Sequence, residues 1–408
     1  IRAVESFEDY TTLGEMQARD ISISSEDLLI GVTATGETTS ILGTAHYALS
    51  IGAEVYMIVC TEPKTIIDRL ERAKRVYMHK KCKSLYVHCG GMALTGSTRM
   101  QSSSIEQTLI SVALEMTADC ILYGETDKNK YADIYLKCVE ALNNNTEALT
   151  AQTEIEARLY STNGYVTYFA NEYLLDVLAD TTERGPTFSV PPFRPQARKD
   201  LPLSWAFVKN PYYNTAEAWK HCFKREMRCV DKTNEQYREI GISEADIKKI
   251  PRINNEALLE FEIGNEADKE REQGNSCATW IDLYNDNPDE FIKASGNYST
   301  VTRFVPLANG KDALIKTKMN ISEHLAMKLA INIISTGTMA RLGRIFGNYM
   351  IYINITNKKL IDRATRIISE LCNISYEQAN YELFLSKAML EESGEDTSPV
   401  KLTLDRLK

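Results

Sequence analysis

Leu28 to Val32 (LLIGV) is a short apolar run, and Glu54 to Cys60 (EVYMIVC) is a second. Between them lie the polar turn Thr33-Ala34-Thr35-Gly36-Glu37-Thr38-Thr39 and a helical pattern of small residues from Ser40 to about Ser50. Strand, loop, helix, strand is a βαβ unit, and it constrains the chain strongly. The two strands must be parallel and the crossover right-handed. Asp68 to Lys81 then reads as a charged helix, Ser84 to Cys89 as a third strand ending at Gly90-Gly91, and Ser103 to about Ala118 as a helix.

The theme returns further on. Residues 128 to 160 read as polar-rich helix joining two halves. Tyr165 to Ala170 (YVTYFA) restarts a strand, Asn171 to Ala179 continues as helix, and Pro186 to Pro202 reads as irregular. Ser204 to Val208 (SWAFV) is a strand again, followed by the turn Lys209 to Asn214 and a helix from Thr215. Residues 225 to 275 are charged and weakly periodic, which reads as a helical insertion or a mobile segment. Ser322 to Gly337 is an amphipathic helix, further helices fill 359 to 392, and the last dozen residues read as loosely ordered. Thr98-Arg99-Met100-Gln101 and Thr317-Lys318-Met319-Asn320 each precede a helix, an echo that points to duplication.

Length and charge narrow the classes. At roughly 150 residues per domain, 408 residues suggest two or three domains, enough for a core without disulfides. The net charge of −9 argues against nucleic acid as a main partner but leaves room for a small anion in a local pocket. The nine cysteines are scattered and no CxxC occurs, which fits a reducing cytoplasm and no structural zinc. No run of 18 apolar residues occurs, so no membrane span is expected. No motif calls for a metal or a cofactor.

Two segments have the makings of anion cradles. Thr35-Gly36-Glu37-Thr38-Thr39-Ser40 lies between a strand and a helix, where backbone N–H groups and hydroxyls suit a phosphate, although an ordinary N-cap reads the same way. Gly96-Ser97-Thr98-Arg99, with Ser102-Ser103-Ser104, again gathers hydroxyls before a helix, and a capped turn is the alternative. Lys328 sits inside the apolar pattern LAMKLAINII, either snorkelling to solvent or placed as a deliberate charge. By themselves Glu8 and Glu183 read as surface charges.

Together these segments resemble a known family. Ile30 to Thr38 is similar to the phosphosugar loop of sugar isomerase (SIS) domains, and Gly96-Ser97-Thr98-Arg99-Met100 resembles a signature of the N-acetylmuramic acid 6-phosphate etherases. Lys328 to Met350 (KLAINIISTGTMARLGRIFGNYM), continuing through Asn357-Lys358-Lys359-Leu360 and Asp362-Arg363-Ala364, is similar to the etherases and to the glucokinase regulatory protein. Ala3-Val4-Glu5 with Glu8-Asp9 resembles the family's acidic helix, and Glu183 with Pro186-Thr187-Phe188 resembles its "ECPPTF" motif.

The resemblance implies an α/β chain of two tandem SIS-type, doubly wound parallel-sheet domains with a small C-terminal helical domain. The divisions are 1–127, N-terminally incomplete; 128–350, degenerate and carrying an insertion near 225–300; and 351–408. The first domain's opening strand, glycine turn and first acidic motif are expected upstream of Ile1. In the second half, Ala170-Asn171-Glu172-Tyr173 and Lys209 to Asn214, with Pro211 lacking an N–H, imply a lost phosphate site. One composite site follows, with Thr35, Gly36, Thr38, Ser97, Thr98, Ser104 and Lys328 holding a sugar phosphate, Glu183 as acid and Glu8 as base. The implied activity is a lyase that eliminates D-lactate. The alternatives are a non-catalytic hexose-phosphate sensor read by a sugar kinase or another protein, and another phosphosugar enzyme such as an isomerase. Gln101, in place of a family lysine, weakens the local positive charge. The resemblance fits either a monomer with an internal pseudo-dimer or a homodimer.

Overall fold

The computed structural model describes residues 10–229, 232–248, 250, 254–283, 288–308, 310–353, 355 and 358–407. Glu8, and with it the acidic helix expected around Ala3 to Asp9, lies outside the described residues.

The chain opens with α1 (Thr11–Asp20), β1 (Leu28–Val32), α2 (Thr39–Ser50), β2 (Glu54–Val59), α3 (Pro63–Ile67), α4 (Glu71–Tyr77) and β3 (Cys82–Tyr86). The three strands form one parallel sheet in the order β1-β2-β3. Val55, Met57 and Val59 on one face pack against Leu42, Ala45 and Leu49 of α2 and Val76 of α4. On the other face Leu28, Ile30, Tyr56 and Leu85 are exposed. Of the charged helix expected over 68–81, only Glu71–Tyr77 is helical; α3 ends before it at Ile67, and the chain is extended at Leu70.

Long helices follow: α5 (Ser102–Tyr123), ended by Gly124 at φ 81°, then α6 (Ile134–Asn143) and α7 (Thr146–Ser161). Next come β4 (Tyr165–Phe169), α8 (Leu174–Phe188), β5 (Ala206–Lys209), α9 (Thr215–Phe223) and four short helices, α10 (Asn234–Glu239), α11 (Glu244–Ile247), α12 (Asn255–Leu259) and α13 (Lys269–Glu272). Then β6 (Ser276–Ile281), α14 (Asp289–Ser295), β7 (Thr300–Phe304) and α15 (Ile321–Arg341) complete the second half. Its sheet is also parallel, in the order β5-β4-β6-β7. The strand order reverses between β4 and β6, which is where open α/β sheets gather ligands.

The insertion expected near 225–300 is therefore shorter, since Ser276–Ile281 is a fully buried inner strand and Thr300–Phe304 is its neighbour. The irregular stretch expected from Pro186 also starts later. Pro186 sits in the last turn of α8, and the helix ends only where Ser189 turns left-handed (φ 53°). Arg271 is fully buried beside β4 and β5, donating to Thr167 Oγ1 (3.0 Å), Ser204 O (2.8 Å) and Val166 O (2.9 Å).

The chain closes with a small hairpin, β8 (Ile345–Phe346) and β9 (Tyr349–Met350), and three helices, α16 (Lys358–Cys372), α17 (Tyr376–Ser393) and α18 (Pro399–Leu407). The described residues of the last dozen, through Leu407, are not loose. Val400 and Leu404 of α18 pack into a separate core with Ile367, Ile368, Ala379 and Leu383. The described cysteines are all free thiols, and no described helix is long and apolar enough to cross a membrane.

α1 and α2 cross with almost no side chain between them. A Cβ on Gly14 would stand 1.8 Å from Ser40 O, and one on Gly43 would stand 2.0 Å from Thr11 O. Gly43→Ala should force the helices apart and lower stability by about 1–3 kcal/mol, the usual scale for overpacking, read as a lower urea midpoint.

Candidate functional site

The first cradle is the turn from β1 into α2. Gly36 is buried at φ 74°, and a Cβ there would meet Ile66 Cδ1 at 2.4 Å and Tyr77 Oη at 2.8 Å, so glycine is required twice over. Tyr77 Oη donates to Gly36 O (2.9 Å), and the hydroxyls of Thr33 and Thr38 bond to each other (2.9 Å). Thr38 is the N-cap of α2, yet its side chain caps no backbone amide. The first amides of α2 are thus left for another acceptor, with the helix dipole behind them. Thr35 stands exposed at the turn.

The equivalent place in the second half is filled from within. Asn214 caps α9 by accepting from the Glu217 amide (3.0 Å). The Glu266 carboxylate accepts from the Thr215 amide (2.6 Å) and hydroxyl (2.8 Å). Asn210 N donates to Ile263 O (2.6 Å), and Lys209 Nζ donates to Glu262 O (3.0 Å). An internal carboxylate occupies the N-terminus that a bound anion would need.

The second cradle, Gly96 to Ser104, leans on the second half. Thr95 N donates to Asn348 O (2.8 Å), and Leu94 packs with Phe188, Val190, Met339 and Met350. Thr98 is exposed and serves as a turn, its carbonyl accepting from the Ser103 amide (3.0 Å). Ser97 is half-buried, its amide donating to Leu94 O (3.0 Å). Ser104 is fully buried and meets Lys328 directly.

Lys328 reaches across from α15. Its Nζ donates to Ser104 Oγ (2.6 Å), Arg99 O (2.8 Å) and Asn332 Oδ1 (3.2 Å). Burial, and then the charge of Arg99, push its ammonium down to about 8. This lysine is no snorkelling side chain. It is a cation held where its charge is disfavoured.

Below it lies a buried ionic network that no motif announced. Asp180 Oδ1 accepts from Arg99 Nη2 (2.6 Å), Asn332 Nδ2 (2.7 Å) and Ser335 Oγ (2.9 Å), and Oδ2 accepts from Arg184 Nε (2.8 Å). Arg184 also donates to both oxygens of Glu156 at 3.0 Å, and Thr338 Oγ1 donates to Glu156 Oε2 (3.0 Å). Burial alone would raise the Asp180 carboxyl, but Arg99, Arg184 and Asn332 reverse this and hold it below the ordinary carboxylate value. Arg99 keeps two buried donors, Nε and Nη1, without a partner among the described residues. Glu183 is exposed one turn past Asp180, and its charge reaches the Arg99 guanidinium.

A signal for this network exists in the spacing. Asp176, Asp180 and Arg184 fall at every fourth position of α8, and His324, Lys328, Asn332 and Ser335 form a matching stripe on α15. Asp176 accepts from His324 Nδ1, at 2.7 Å, one turn above Lys328. Arg184 also stands where the "ECPPTF" motif has Cys.

The structure joins Ser104 to Lys328 and Arg99 to Asp180 in direct contact. The α2 turn connects to them through the start of α5. Cys60 N donates to Ala34 O (3.0 Å), and Cys60 Sγ donates to Glu106 Oε1 (3.7 Å), two residues from Ser104. Among the described residues no group of His, Cys, Asp and Glu could hold a metal ion.

No family model matches the chain. Curated relatives do. The N-acetylmuramic acid 6-phosphate etherase of Brucella anthropi is 30% identical over 155 residues, 38% of this chain and 45% of that protein. Shorter matches are closer: the etherase of Microcystis aeruginosa is 48% identical over 67 residues (16% of this chain, 20% of that protein) and that of Staphylococcus saprophyticus 52% over 54 (13% and 18%). Over these segments the chain is similar to N-acetylmuramic acid 6-phosphate etherases. The chain spans about half the length of the first of these relatives. Among solved structures, a putative phosphosugar isomerase from Clostridium difficile 630 matches at a TM-score of 0.40 and 11% identity, covering 82% of this chain and 76% of that one, a likeness too low to carry an argument.

Removing the Asp180 carboxylate leaves the buried Arg99 guanidinium without its carboxylate partner and Arg184 with Glu156 alone. Asp180→Ala should cost about 3–5 kcal/mol in urea unfolding, the scale for breaking a buried pair. The folded-state value is depressed, so this stabilisation is complete above the unfolded-state pKa, near 3.9, and is lost as pH falls through the lower folded value. Acidification below about pH 4 should therefore lower the urea midpoint of the parent protein more steeply than that of Asp180→Asn.

Proposed function

We propose that this chain binds a sugar phosphate between the α2 turn and Lys328 of α15, and that it acts there as a lyase of the N-acetylmuramic acid 6-phosphate etherase type. The observation that carries the reading is Lys328, whose ammonium is brought from the second half onto Ser104 and the Arg99 carbonyl of the first half's hydroxyl-rich loop. A cation held in a half-buried place gains most from an anionic partner. The uncapped N-terminus of α2 offers amides to the same chemistry, whereas that of α9 is already taken by Glu266. The etherase names of the relatives favour the lyase over a non-catalytic sensor.

In this reading Thr35, Gly36, Thr38, Ser97, Thr98, Ser104 and Lys328 hold the phosphate and sugar. Glu8 removes the proton beside the sugar carbonyl carbon, and the electron pair moves to expel the lactyl oxygen. Glu183 protonates that oxygen as the carbon–oxygen bond breaks, and water then adds to the resulting double bond. Each positioned acid or base of this kind contributes roughly 10²–10⁴-fold. Glu183 is exposed to solvent, and its charge reaches the Arg99 guanidinium.

Incubating the full chain with N-acetylmuramic acid 6-phosphate should release D-lactate. Glu183→Gln should slow release by about 10²–10⁴-fold while the sugar phosphate still binds. Lys328→Met should weaken binding, and binding to the parent should weaken as pH rises through about 8, where the ammonium loses its charge. Folded protein that binds the sugar phosphate without releasing lactate would sink the lyase and leave the binding site standing.

A further inference from the structure

Cys60 and Cys89 stand side by side past the carboxyl ends of two neighbouring parallel strands. Cys60 directly follows β2, and Cys89 lies three residues beyond β3, with Val59 and Tyr86 the last paired residues. Both thiols meet α5 one turn apart, Cys60 at Glu106 and Cys89 at Ser102. Cys60 Sγ donates to Glu106 Oε1 (3.7 Å), Cys89 Sγ and Ser102 Oγ are 3.5 Å apart, and Ser102 Oγ donates to Met92 Sδ (3.4 Å). Both thiols are half-buried, so a small reagent can reach them. The backbone past Cys89 has room to move. Gly90, at φ 70°, and Gly91 would each place a Cβ in open space. Movement there would bring the two sulfurs to the disulfide distance of about 2.05 Å.

We propose that Cys60 and Cys89 are a peroxide-reactive thiol pair, with Glu106 accepting the Cys60 proton. The Cys89 thiolate attacks one oxygen of hydrogen peroxide or a related hydroperoxide. The O–O bond breaks, hydroxide leaves and is protonated to water (an alkoxide to the alcohol), and Cys89 becomes a sulfenic acid. Cys60 then gives its proton to Glu106, and its sulfur attacks Cys89. The S–O bond breaks, hydroxide leaves as water with a proton returned by Glu106, and the disulfide forms. Two thiols are oxidised by two electrons and one peroxide is reduced. The division of labour follows from the surroundings. Burial, then the charge of Glu106, push the Cys60 thiol up to about 12, which makes it the resolving and not the attacking partner. Burial pushes Glu106 up to about 7, so near neutral pH it both takes and returns a proton. The product ties β2 to β3 beneath the α2 turn, whose Ala34 carbonyl accepts from the Cys60 amide.

Intact-mass spectrometry and peptide mapping of the full chain, treated with equimolar hydrogen peroxide, test this without reference to any sugar. The expected result is loss of two hydrogens and a peptide joining Cys60 to Cys89, ahead of change at the other cysteines. Cys60→Ser should stop the reaction at a Cys89 sulfenic acid that a dimedone-type reagent traps, and Cys89→Ser should abolish the cross-link. Glu106→Gln should slow cross-linking at least about tenfold while leaving sulfenic acid formation at Cys89 unchanged, a split that a packing role would not produce. Oxidation first at another cysteine, pairing with another cysteine, or sulfinic acid at Cys89 without a cross-link would overturn the proposal.

Discussion

The Asp180 carboxylate is the point on which the two halves of the molecule meet. It accepts from Arg99 on the loop before α5, from Arg184 on its own helix, and from Asn332 and Ser335 on α15. Arg184 extends the network to Glu156 on α7, which Thr338 also reaches. Burying such charges is costly unless they are fully paired, and removing one leaves its partners stranded. The network therefore fixes where the loop lies against α15. That position in turn brings Ser104 and the Arg99 carbonyl within reach of Lys328.

The same βαβ pattern has been used twice to different ends. In the first half the turn into α2 is closed by glycine and by a threonine pair, and the helix start is not capped by a side chain. In the second half Glu266 and Asn214 cap α9, and residues 260 to 266 run over the turn. One half thus presents unpaired amides, and the other contributes the cation. A ligand with a phosphate needs both, which is why the proposed site belongs to neither half alone.

Much of this was legible in the residues. LLIGV and EVYMIVC announced the first parallel pair, and the polar lysine inside LAMKLAINII marked the helix position that reaches the loop. Strand β6 was hidden because Ser276–Ile281 begins with small residues and sits inside a long charged stretch, so periodicity pointed to an insertion. Asp180 and Arg184 were hidden because a charged residue on a helix normally faces water; only the matched stripes on α8 and α15 show that these face each other. Arg99 sits in a loop whose Ser and Thr hydroxyls suggest an anion cradle, while its guanidinium is the link across the halves.

The central claim is that Lys328 is a cation held for an anionic sugar. Its titration, followed by NMR of protein carrying 13C-labelled lysine, tests this most directly. The account predicts one lysine signal, lost in Lys328→Met, that titrates at about 8 in the free protein and moves upward when N-acetylmuramic acid 6-phosphate is added. A Lys328 signal that titrates at the ordinary lysine value, or that the sugar phosphate leaves unmoved at saturating concentration, would contradict it.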